Sequence, residues 1–125
     1  MRLVISAAIA VAALWPLRSE AVTDENFVVR TTRDLVSLCT TPQDDPHYLQ
    51  AVNFCQGYVV GAYHYYLASI SGPGAKPMVC PPDPPPSRNA GIGEFVKWAN
   101  SHPEYMNARP VDALFKFLVE KWPCQ

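Results

Sequence analysis

The chain has 125 residues, 17% of them charged, and a formal net charge of −1, a balance that excludes the electrostatic footprint of a nucleic-acid-binding protein. Its hydrophobic fraction of 49% is that of a chain that folds, and its length is that of one domain. A core of this size is adequate without being generous, so covalent crosslinks add usefully to it.

The first element is an export address. Arg2 precedes an apolar run from Leu3 to Trp15, and Ser19-Glu20-Ala21 supplies small residues at the positions read by a signal peptidase, which predicts cleavage after Ala21. The run is too short for a membrane anchor, since a spanning helix needs about 20 apolar residues. His47, Gln50, Asn53, Gln56 and His64 interrupt the only other long apolar stretch, so no membrane segment is expected after cleavage. This divides the chain into a signal peptide at 1–21, an N-terminal extension at 22–30 and a helical domain at 31–125. The mature chain keeps eight basic and ten acidic residues, a net charge of −2.

Thr31 with Asp34 three residues later resembles a capping box, and Leu35, Val36, Leu38 and Cys39 supply an apolar face, predicting a short first helix over about 31–40. Asp45 followed by Pro46 reads as an N-cap with a first-turn proline, and helical spacing continues to Ser71 before Gly72-Pro73-Gly74, predicting a second helix near 26 residues long. The stretch from Gly72 to Ala90 cannot be regular, because its prolines lack amide donors and restrict the residues before them. Ile92, Phe95, Val96 and Ala99 mark a third helix ending near "SHPE". Pro110 opens a fourth, with Val111, Leu114, Phe115, Leu118 and Trp122 on one face and Asp112, Lys116 and Glu120 on the other. The expected architecture is an all-α, single-domain bundle of about four helices.

Four cysteines, Cys39, Cys55, Cys80 and Cys124, remain in the mature chain. An even count behind an export signal reads as two disulfides, and no CxxC pair suggests zinc. Loop-closure entropy does not choose the pairing, since closing the shorter loop contributes ~3 kcal/mol and the longer ~4 kcal/mol. Position does: Cys39 and Cys55 flank one short helix connection, while Cys80 lies in the proline-rich loop and Cys124 at the chain end. The expected bridges are Cys39–Cys55 and Cys80–Cys124.

The second helix carries two glycines four residues apart in "FCQGYVVGAYHYY". At about 100° per residue, Val52, Cys55, Val59, Ala62 and Tyr66 share the side assigned to the core. Gly57, Gly61 and Ala68 fall opposite, with Gln50, Asn53, Phe54 and His64. Small residues at such spacing let two backbones approach closely. The polar members of this face exclude a lipid-buried pair, because they would lose water without gaining partners. Either the helix is sandwiched between others, or Gly57, Gly61, His64 and Ala68 meet a second copy of the molecule.

"TTRDLVSLC", "AVNFCQGYVVGAYHYY", Cys80 followed by proline, the short helix before "SHPE" and "RPVDALFKFLVEKWPC" follow one another in an order that resembles the Rap/Tai family of immunity proteins. That family protects bacteria from peptidoglycan amidases delivered by type VI secretion systems. The C-x-G-Y-x-x-G core at 55–61 and the W-P-C ending are its most specific parts, and the proline-rich loop is the departure. The resemblance implies a small, disulfide-bonded, all-α periplasmic protein without enzymatic activity or cofactor. Such a protein occludes the active site of an amidase effector and often forms a homodimer.

The residues offer little to an enzyme. Cys55 and His64 are nine apart on one helix, about 180° around it, and cannot meet as nucleophile and base. His47, His64 and His102 are dispersed. Tyr58, Tyr63, Tyr65 and Tyr66 offer aromatic rings for glycan stacking, although aromatics at helical spacing more often belong to a core. Lys76 and Arg88 offer cations to an acidic cleft from the proline-rich loop, although scattered loop charges usually only solvate it. Two further classes compete with the immunity reading. A periplasmic helical acid-stress chaperone needs denser charge than this chain has. The other class is a plain envelope module that binds glycan or peptide.

Overall fold

The computed structural model describes residues 20–125, and among these the backbone is helical wherever it is regular. The helices are α1 (Thr32–Cys39), α2 (Tyr48–Ser69), α3 (Arg88–Asn100) and α4 (Pro110–Lys121), with short 3₁₀ turns at Asp24–Val28 and Pro103–Tyr105. Extended pairing among the described residues is limited to an isolated bridge between Val79 and Pro123. The small all-α domain with two disulfides is the architecture expected. Residues 1–19 of the expected signal peptide lie outside the described residues.

α1 is central. Its capping box forms as the spacing predicts: the Asp34 N–H donates to Thr31 Oγ1 at 3.3 Å and the Thr31 N–H donates to Asp34 Oδ2 at 2.9 Å. The first-turn amides of Thr32 and Arg33 have no partner within the helix. They donate to the carbonyls of Ala108 and Met106 at 2.8 and 3.0 Å, which docks the start of α1 on the segment entering α4. The buried Thr32 hydroxyl adds a bond to Ala108 O at 3.1 Å. Leu35 and Val36 then reach into the core, where Phe95, Leu114, Phe117 and Leu118 meet them from α3 and α4, while Leu38 packs with Ala51, Cys55 and Ile92.

α2 starts later than the sequence suggests. Asp45 does not cap it; Asp45 Oδ1 accepts the His47 N–H at 2.8 Å and its carbonyl accepts the Tyr48 N–H at 3.0 Å, closing a turn ahead of the helix. The helix has 22 residues and ends at Ser69. There the Ser69 and Ser71 hydroxyls take up the carbonyls of Tyr66 and Ala68. α3 starts earlier than expected, at Arg88, because the Ser87 hydroxyl accepts the Ala90 N–H at 3.2 Å. The irregular loop is shortened accordingly. The α4 face is also rotated from its expected position: Ala113, Leu114, Phe117 and Leu118 are buried, while Val111 is 37% exposed and Phe115 half-buried. Lys116 pairs with Glu120 at 3.0 Å, but Asp112 turns to Arg109 at 2.8 Å.

Both expected disulfides are present, Cys39–Cys55 and Cys80–Cys124, with Cα separations of 5.2 and 5.0 Å. The first pins the end of α1 to α2. The second ties the proline-rich loop to the C-terminal end, reinforced by the Cys80 N–H donating to Trp122 O at 2.8 Å. The loop is held to α2 as well, because the Tyr66 phenol oxygen accepts the N–H groups of Met78 and Val79 at 2.8 and 3.1 Å.

Candidate functional site

α2 lies across the body with one face covered. Ala51, Cys55 and Tyr66 are buried, and Val52, Val59 and Ala62 are half-buried, so the side assigned to the core is the side in contact. Gln50, Asn53, Gly57, Gly61, His64 and Ala68 are all exposed. A Cβ added to Gly57 or Gly61 would meet no atom of another element within 4 Å. The glycines therefore do not serve packing against α1 or α4 among the described residues, and the helix is not sandwiched. Their track is bordered by bulk, with Leu49, Val60 and Leu67 on one flank and Phe54 and Tyr65 on the other at 100° per residue. Leu49 is 69% and Tyr65 79% exposed. Phe54 leans edge-on against Phe27, ring centres 5.9 Å apart.

Beside this face runs a groove of about 440 Å³ whose walls include Val60, Tyr63 and His64 of α2, Pro85 and Pro86 of the loop, and Trp122 past the end of α4. It exists because the Cys80–Cys124 bridge and the Tyr66 hydroxyl hold the proline-rich loop against the helices. Prolines keep its loop wall stiff and apolar. His64, read from the sequence as part of the glycine face, lines both. Pro85, Pro86 and Trp122 were not anticipated as surface-forming residues, since nothing short of the crosslink brings positions so far apart in the chain to one wall.

The remaining candidates separate. Cys55 is half of a disulfide and buried while His64 is exposed, which leaves no thiolate for a base to activate. Tyr66 is buried and committed to the loop, Tyr58 and Tyr63 are half-buried, and only Tyr65 stands free, so the four tyrosines form no common platform. Burial pushes the Tyr58 and Tyr63 phenols above their ordinary range. Arg88 is in the first turn of α3 and not in the loop, and it leans toward Gln56 Oε1 at 3.4 Å. Lys76 remains an exposed loop cation. What the arrangement offers is a rigid, largely uncharged contact surface: a small-residue track with aromatic and aliphatic borders, continuing into an apolar groove.

The family model of the Rap1a immunity proteins matches residues 31–124, and the chain belongs to that family. No curated protein and no solved structure matches the chain.

Proposed function

We propose that this member of the Rap1a immunity proteins is a periplasmic inhibitor that binds a peptidoglycan amidase delivered by a type VI secretion system and covers its active site, with no chemistry of its own. The observation that carries the reading is an uncovered contact surface on α2: its outer face, which suits a copy of the chain, and the apolar groove beside it, which suits the effector. The face bearing Gly57 and Gly61 also carries Gln50, Asn53 and His64, yet it is bare of other elements and flanked by exposed Leu49, Phe54 and Tyr65. Such a face is suited to another protein surface. The two disulfides support it by presenting the surface without an ordering cost at binding, and they fit an oxidising compartment.

The same track suits a two-fold homodimer, since one self-complementary patch serves both copies. We assign it Gly57, Gly61, His64 and Ala68, with the proline-walled groove left for the effector. The test is a binding and inhibition panel of purified peptidoglycan amidases. Stoichiometric inhibition is expected, with the masses of both proteins unchanged. Absence of binding at micromolar concentration would overturn the amidase reading and favour the glycan or peptide module. Protection of an unfolded client in strongly acidic buffer, absent at neutral pH, would favour the chaperone.

A further inference from the structure

The chain enters the core abruptly at Val22. That side chain is 6% exposed and packs with Leu38, Ala51, Cys55 and Ile92, whereas Glu20 and Ala21 just before it are exposed. The Val22 backbone N–H donates to Asp45 Oδ2 at 3.4 Å. The Asp45 side chain is only 5% exposed. Its other oxygen, Oδ1, is well served, accepting the His47 N–H at 2.8 Å with the His47 imidazole Nδ1 at 3.5 Å. Oδ2 receives from the described residues a single long bond from a neutral amide. Asp34, by contrast, receives the Thr31 N–H, the Thr31 hydroxyl and the Asn26 amide within 3.1 Å. A buried carboxylate oxygen so thinly solvated is a site for a cation.

We propose that Asp45 is the receptor for the α-ammonium of the processed chain, so that removal of the leader after Ala21 creates an ion pair between Val22 and Asp45 that the precursor lacks. Hydrolysis of the Ala21–Val22 amide by a signal peptidase consumes one water, leaves a carboxylate on Ala21 and frees an ammonium on Val22. One N–H donor becomes three, with a full positive charge, at the position where the neutral amide already points at Oδ2. The carboxyl is ready to receive the charge: the His47 N–H, against the opposing effect of burial and with the Val22 N–H assisting, holds it below its ordinary range. The titratable side chain sharing this carboxylate is His47. Export thereby completes the fold by anchoring the N-terminal extension, and with it the 3₁₀ turn that carries Phe27 beneath Phe54.

This inference rests on the export reading above, and the experiment separates the two. The full chain, expressed with its own leader in a Gram-negative host, is recovered from the periplasm and its N-terminus sequenced; Val-Thr-Asp-Glu-Asn is expected. Selective acetylation of the α-amine should then lower the melting temperature by roughly 4–8 °C, and should leave Asp45→Asn unaffected. As a readout that does not need that variant to fold, the Val22 α-amine of the wild type should titrate above its ordinary value of about 7.7–8.0. A chain that stays in the cytoplasm with its leader attached overturns both export and the ion pair, and an uncleaved chain in the periplasm overturns the ion pair. A mature start elsewhere, an equal acetylation shift in both proteins, or an ordinary α-amine titration overturns the ion pair and leaves export standing.

Discussion

Asp34 shows how much one short side chain organises at the N-terminal end of the domain. Its Oδ2 accepts the Thr31 N–H at 2.9 Å to complete the capping box of α1, and its Oδ1 accepts the Asn26 side-chain amide at 3.1 Å, joining the extension to the helix. Burial alone would raise its carboxyl, but hydrogen bonds from Thr31, Asn26 and the Arg30 backbone outweigh burial and hold it below its ordinary value of 3.8. A carboxyl lowered in the folded state stabilises fully above that ordinary value and stops stabilising as pH falls through the lower folded value. Asp34→Asn should therefore cost about 1 kcal/mol near neutrality. Thermal unfolding across pH should show the gap to the wild type constant through the neutral range and narrowing as pH falls through 3.8. Tyr66 plays the equivalent part for the loop. Tyr66→Phe keeps the ring and removes the acceptor for the Met78 and Val79 N–H groups, and Val79 is only 4% exposed. The expected loss is about 1–3 kcal/mol, with faster hydrogen exchange at those two amides; unchanged protection there would refute the role.

At the scale of the element, α2 departs most from ordinary helix design. Apolar residues lie on its core side and on both flanks of its outer side, where two glycines share the surface with Gln50, Asn53 and His64. Glycine inside a helix is about 1 kcal/mol worse than alanine, so a bare glycine track lowers the stability of the protomer and gains nothing from packing within it. Gly61→Leu should raise the melting temperature of the isolated protomer, because leucine is a better helix former and no other element lies within 4 Å of the new Cβ. The same change should abolish whatever association uses the face. Sedimentation of wild type and variant, with thermal unfolding at several concentrations, reads both effects. A destabilised monomer would show that the track is packed internally after all, and a wild type that stays monomeric at high micromolar concentration would remove the dimer.

On the scale of the molecule, the two crosslinks do different work. Cys39–Cys55 closes 16 residues inside the helical body, and Cys80–Cys124 closes 44 around the loop and the C-terminal end. In the loop-entropy account they contribute ~3 and ~4 kcal/mol. The paired change Cys80→Ser with Cys124→Ser should lower urea resistance by about the larger figure. It should also free the proline-rich wall, so that binding of the proposed amidase partner weakens by more than stability alone explains. Non-reducing peptide mapping of the purified protein checks the pairing directly.

The local chemistry was legible in the sequence alone. Capping at Thr31 and Pro110 at the head of α4 act over a few residues, and side-chain geometry decides them; the cysteine pairs, 16 and 44 residues apart, were legible from their positions between predicted elements. Even there, competing short-range bonds escaped notice: Asp45 closes a turn ahead of α2 instead of capping it, and Ser87 starts α3 a turn early. The wheel of α2 divides its faces correctly. Whether the glycine face was covered depended on where α1, α3 and α4 settle, which no periodicity within α2 encodes. The groove is the clearest case, since Tyr63, Pro85 and Trp122 share a wall only because a disulfide and a phenol hold distant segments together. The long bond from Val22 to Asp45 is of the same kind: it joins residues 23 positions apart across a packed core, and tertiary packing alone sets that distance.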